Sequence, residues 1–263
     1  MDEVPTEVLR RIPALLNIQD VGRLMRAGSR RIFDVCGEHL YSTIQLSMAH
    51  PHVQPHNPAA TTRTHGRPML EVLSAETPRG SLEPPARWVR HLAVAWPLFP
   101  TGEEAEYCTL LLRALSCTNN ILSLELRGRS PLAWRHGLHT PAQSSHFLPR
   151  LVALKTDDVG DSIELSSTRT LEAIFVTTLL PSQDFAALLA SIRLHPAALS
   201  QVQLSLEISS IQDILDTFEK TVSALPNLRV LCLEFDLGID FPERPLAWTT
   251  VHVSFKTLCL NHD

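Results

Sequence analysis

A chain of 263 residues that is 44% hydrophobic and 19% charged carries enough apolar material for one large core and a small second one. Its formal net charge of -5 gives no electrostatic drive toward a phosphate backbone, so nucleic acid is not an expected partner. Five scattered cysteines (Cys36, Cys108, Cys117, Cys232, Cys259) include no C-x-x-C pair, which excludes a zinc ribbon or thioredoxin-like motif and fits reduced thiols.

The first elements read as helices. Pro5 suits a helix start and Glu7 lies in a first turn, where the helix dipole favours it. Val8, Leu9, Ile12, Leu15 and Leu16 then make an apolar face. Asn17-Ile18-Gln19-Asp20 reads as a turn and N-cap, with Val21, Leu24 and Met25 on a second helix. A third helical segment follows Ser29, with Ile32, Phe33 and Val35 apolar and Arg30 and Arg31 exposed. Asp2, Glu3 and Glu7 precede any apolar run, so no signal peptide is read. No apolar stretch approaches the roughly 18 residues of a membrane span. The expectation is a cytoplasmic or nuclear protein without a membrane partner.

Residues 49–86 hold Pro51, Pro55, Pro58, Pro68, Pro78, Pro84 and Pro85, a density that predicts a linker or loop. One island, Met69-Leu70-Glu71-Val72-Leu73, predicts a short helix after Pro68. His50, His52, His56 and His65 cluster here, but the stretch offers no framework to fix ligands, so no metal site is expected.

From Arg87 onward short apolar strands alternate with helix-like segments. The template is apolar, two others, apolar, one other, apolar. It fits Val89/Leu92/Val94, Ile121/Leu124/Leu126, Leu171/Ile174/Val176, Leu199/Val202/Leu204, Leu228/Leu231/Leu233 and Phe255/Leu258/Leu260. Another copy, Leu151/Leu154, ends on Thr156. A repeat of 20 to 30 residues is what leucine-rich repeats have. The pattern predicts an α/β fold with a parallel sheet, its last two template positions facing a shared core. Helical returns are predicted over Tyr107–Leu115, Phe185–Ile192 and Ile211–Leu225. An ordinary α/β domain with evenly spaced βαβ units stays open as an alternative, since an Asn ladder is absent. No polar repeat follows Leu260, so that edge reads either as a second contact surface or as a truncation.

Residues flanking the inward positions then face out. His91, Glu125, Arg127, Lys155, Asp157, Phe175 and Glu234, with Ala93, Ser123, Thr177, Gln203, Ser205 and Asn261, form the candidate target-binding row. Gly160-Asp161-Ser162-Ile163 is similar to the nucleophile block of GDSL-type esterases, but no Asp-x-x-His occurs to supply the base. It reads as loop before the Leu171 strand. No catalytic residues and no cofactor are expected.

The N-terminal stretch resembles an F-box. Pro5, Glu7, Leu9, Ile12, Asp20, Leu24, Ser29, Arg30, Arg31 and Phe33 match its pattern, and Leu40-Tyr41-Ser42-Thr43-Ile44-Gln45-Leu46 is similar to the tail common in fungal F-box proteins. Val4, Pro13 and Gly28 depart from it. The resemblance implies a three-helix F-box over 1–48, a linker over 49–86, and a curved leucine-rich-repeat-like solenoid over 87–263. It implies that Val4, Pro5, Leu9, Ile12, Val21, Leu24 and Ile32 dock a Skp-family adaptor on a cullin scaffold, while the repeats hold a protein target for ubiquitination. The alternative is a repeat-only scaffold whose N-terminal helices merely cap the array.

Overall fold

Three short helices open the chain, each set by its own local chemistry. Helix α1 (Thr6–Ala14) starts after Pro5 and carries Pro13 inside it. Proline offers no N–H and clashes with the preceding turn, so the helix stops within two residues, closed by Leu15 N to Ile12 O and Leu16 N to Pro13 O. Helix α2 (Ile18–Ala27) is capped by Asn17, whose side chain accepts from Asp20 N at 2.9 Å. Helix α3 (Arg30–Tyr41) follows Ser29. Gly28 ends α2 where the F-box pattern has an apolar residue. A Cβ there would stand 2.5 Å from Ile32 Cγ2, so the thinner residue is what this packing demands.

The structure, a computed structural model, describes residues 4–46, 62–64, 66–75, 85–96, 103–195, 198–208, 211–237 and 250–256. It divides into two units, Met1–Leu122 with His146–Arg150, and Ser123–Ser145 with Leu151–Asp263. The fold is mixed α/β with parallel strands.

The first unit joins the three helices to strands β1 (Thr43–Leu46), β2 (Thr62–Thr64) and β3 (His91–Ala95). Strand β1 pairs parallel with both others, with Ile44 beside Leu92 and Leu46 beside Val94. The tail read as part of the F-box is therefore a sheet strand with the same inward alternation. Helix α4 (Gly66–Ser74) is the short helix expected from the Met69–Leu73 island within the Pro-rich stretch; it begins two residues before Pro68, which lies in its first turn. It buries Leu70 and Leu73 and packs on α5 (Glu104–Cys117). His50, His52, His56 and His65 fall outside the described residues.

The second unit alternates strands β4 (Ser123–Arg127), β5 (Ala153–Thr156), β6 (Ala173–Leu180), β7 (Gln201–Ile208) and β8 (Val230–Leu237) with helices α6 (Leu132–Ala142), α7 (Val159–Ser166), α8 (Ser182–Ile192) and α9 (Ile211–Ala224). Parallel register sets Leu124, Leu154, Ile174, Val202 and Leu231 in one row and Leu126, Thr156, Val176, Leu204 and Leu233 in the next. All ten are buried, so the template's inward positions form the core. Each buried aliphatic contributes about 1.5–3 kcal/mol. Strand β9 (Thr250–Lys256) pairs antiparallel with β8 and precedes most of the last template copy, Phe255/Leu258/Leu260. Leu258 and Leu260 fall outside the described residues.

Candidate functional site

On the N-terminal module the apolar residues of α1 split into two stripes. Leu9 and Pro13, four apart, are buried. Val21, Ile32 and Cys36 form a core with Leu24, Met25 and Leu40 packed against it. Arg31 Nη2 donates to Thr6 Oγ1 at 2.7 Å and Arg10 meets Glu38 at 3.3 Å, tying α1 to α3. The second stripe faces outward. Val8, Ile12, Leu15 and Leu16 are exposed, and Ile18 at the start of α2 joins them; Leu15 is 84% and Ile18 61% exposed.

The seven expected adaptor positions are thus split. Pro5 and Ile12 are exposed, Val4 and Leu24 are half-buried, and Leu9, Val21 and Ile32 are buried within the module. Buried side chains hold the helices together and offer no area to a docking protein in this conformation. Val8, Leu15, Leu16 and Ile18 were not singled out as docking residues. The signal was available, because Val8, Ile12 and Leu15 follow the i, i+4, i+7 spacing of a separate face.

Helix α3 is itself anchored within the first unit. A 3-10 turn, Pro85–Trp88, presents Trp88 to it. The indole stacks on Tyr41 with centroids 6.0 Å apart and tilts against Phe33 at 5.2 Å. The Arg87 guanidinium lies 4.7 Å over the same ring and pairs with Asp34.

The sheet row is the other candidate surface. His91 is exposed on β3 of the first unit; the other six expected residues lie in the second. There Glu125, Lys155 and Phe175 sit side by side in register, followed by Gln203. Glu125 meets Lys155 at 2.9 Å and Arg127 at 3.0 Å. Burial pushes the Glu125 carboxyl up, but hydrogen bonds and charge from Arg127 and Lys155 outweigh it and hold it below its ordinary value. Asp157 accepts from Thr177 Oγ1 and from Gly128 N. Gly128 takes φ 84°, a left-handed conformation that glycine allows at the turn after β4. Ser205 donates to Glu234 at 3.0 Å.

Beyond this row, at the C-terminal ends of β4–β6, a cleft of about 890 Å³ is lined by the 128–129 turn, Asp157, the start of α7, Thr177, Thr178 and Asp184. Arg135 and Asp158 form an ion pair on its wall.

Gly160-Asp161-Ser162-Ile163 lies in α7, not in a loop. Asp158 caps that helix through Gly160 N at 3.0 Å, which explains the acidic residue before it. Ser162 is fully buried, so its hydroxyl has no path to a substrate. Among the described residues no group of three His, Cys, Asp or Glu is placed to hold a metal, and no helix is long and apolar enough to cross a membrane.

No family model matches this chain, and no curated protein matches it.

Proposed function

We propose that this chain is a substrate-recruiting adaptor of an SCF-type ubiquitin ligase, with an F-box that docks a Skp-family protein and a leucine-rich-repeat-like solenoid that holds a protein target. The exposed aliphatic stripe of Val8, Ile12, Leu15, Leu16 and Ile18 carries this reading. Five large apolar side chains between residues 8 and 18 remain in water although the module beneath them has its own core. Contiguous exposed apolar surface of this kind marks a protein contact. The adaptor bridges to a cullin scaffold, and the row of Glu125, Arg127, Lys155, Asp157, Phe175 and Glu234 on the second unit meets the target.

Alternating strands and helices with their template residues in register support the repeat half of the reading. The test is co-purification of the full chain with a Skp-family adaptor. Leu15→Asp with Ile18→Asp abolishes recovery if the stripe is the contact, and unchanged recovery rejects it.

A second reading, in which the N-terminal helices only cap the array, is favoured by the anchoring of α3 on Trp88. It gives the outward stripe no partner, so the same variants leave every interaction intact under it.

A further inference from the structure

Asp161 is 1% exposed, yet its hydrogen-bond partners are all neutral. Trp134 Nε1 on α6 donates to it at 2.9 Å, Ser130 Oγ donates to its other oxygen, and Thr156 Oγ1 of β5 lies 3.4 Å from that oxygen. The charged neighbours stand one layer out. Asp158 at the head of α7 accepts from Ser130 N at 3.3 Å and Gly160 N at 3.0 Å, and pairs with Arg135 of α6. Farther along the same two helices the exposed His139 meets Glu164 at 3.0 Å.

With Asp161 ionised, two buried carboxylates face one guanidinium. With Asp161 protonated, its acid hydrogen turns to Ser130 Oγ or Thr156 Oγ1 as acceptor, since either hydroxyl can rotate, and the cluster is neutral. An uncompensated buried carboxylate is costly and holds its proton to relieve that cost.

We propose that Asp161 is a proton-binding site that clamps the loop over residues 128–131: protonated, the cluster is closed and neutral, and on losing the proton the loop and the head of α7 loosen. Burial drives the Asp161 carboxyl up. The Ser130 hydrogen bond opposes this, Asp158 adds to it, and Trp134 and Arg135 oppose it, leaving titration at about 6. The folded value lies above the ordinary aspartate value of about 3.9, so the stabilisation is complete below that value and is lost as pH rises through about 6. Gly128, Arg135 and Asp158 line the cleft, so the proton also sets how firmly that wall is held.

Hydrogen exchange of the full chain tests it, read at the Ser130 and Gly160 amides that donate to Asp158. Protection factors, which remove the intrinsic pH dependence of exchange, fall about tenfold from about pH 5 to about pH 7.5 in the wild type. Asp161→Asn removes that fall and His139→Gln keeps it. A flat wild-type profile, an unchanged fall in the Asn variant, or a fall that vanishes with His139→Gln overturns the proposal. Should the Asn variant not fold, the indole N–H resonance of Trp134, assigned by its loss in Trp134→Phe, decides. It shifts with a midpoint at about 6 under the proposal, and a resonance that does not move across that range rejects it.

Discussion

Gly37 of α3 lies flat against the indole of Trp88: a Cβ built at Gly37 would stand 2.5 Å from Trp88 Cε2 and Cζ2. Glycine is used here for close approach, not for backbone freedom. Gly37→Ala is expected to destabilise the protein by about 1–3 kcal/mol through overpacking. Trp88→Ala, which empties the site between Phe33 and Tyr41, should cost about 3–5 kcal/mol. Denaturant unfolding of each variant measures both, and an alanine at 37 that leaves the midpoint unmoved refutes the contact.

Thr156 gives a prediction against the repeat pattern. Valine would complete the apolar template at that position, yet Thr156 Oγ1 accepts from Asp158 N at 2.9 Å and donates to Asp158 O at 3.2 Å. Thr156→Val keeps the shape and leaves a buried amide unpaired, a loss of about 1–3 kcal/mol. Thermal unfolding that shows Thr156→Val equal to or above the wild type would mean the polar residue has no structural part there.

Glu125 answers pH with the opposite sign to Asp161. Its folded carboxyl titrates below the ordinary value because Arg127 and Lys155 outweigh its burial. The stability it contributes is present above the ordinary glutamate value and is lost as pH falls through the folded one. Glu125→Gln should therefore destabilise at neutral pH, and the gap to the wild type should close on acidification. A gap that is constant with pH contradicts the assignment.

The two apolar stripes of α1 should separate stability from binding. Leu9→Ala empties the interior of the module and is expected to cost about 2–5 kcal/mol. Leu15→Asp acts on a side chain that is 84% exposed and should change stability by about 0.5 kcal/mol or less. Comparable losses for both in chemical denaturation would mean that Leu15 is covered in the protein.

Much of this architecture was legible because period-two alternation puts the same template residues inward on every strand. The rows led by Leu124 and Leu126 follow from the sequence pattern and the parallel register together. The helical returns α5, α8 and α9 carry clear apolar stripes and were readable too. Helix α6 was not, because Gly137, Pro141 and two histidines dilute a face held by Trp134, Leu138 and Ala142. Helix α7 was hidden because its buried face is partly polar, with Asp161, Ser162 and Ser166 inside. The candidate docking face was only half legible. Composition marks α1 as apolar, but which stripe turns inward is decided by the packing of α1 on α3.

The outward stripe of α1 and α2 is proposed to dock a Skp-family adaptor. Calorimetric titration of the full chain with the purified adaptor tests it most directly, comparing the wild type with Leu15→Asp/Ile18→Asp after both have been shown to be folded. Saturable binding by the wild type is expected, with at least about a hundredfold loss in the variant, the scale of removing a buried hot spot. No binding by the folded wild type, or equal affinity for the two proteins, would contradict it.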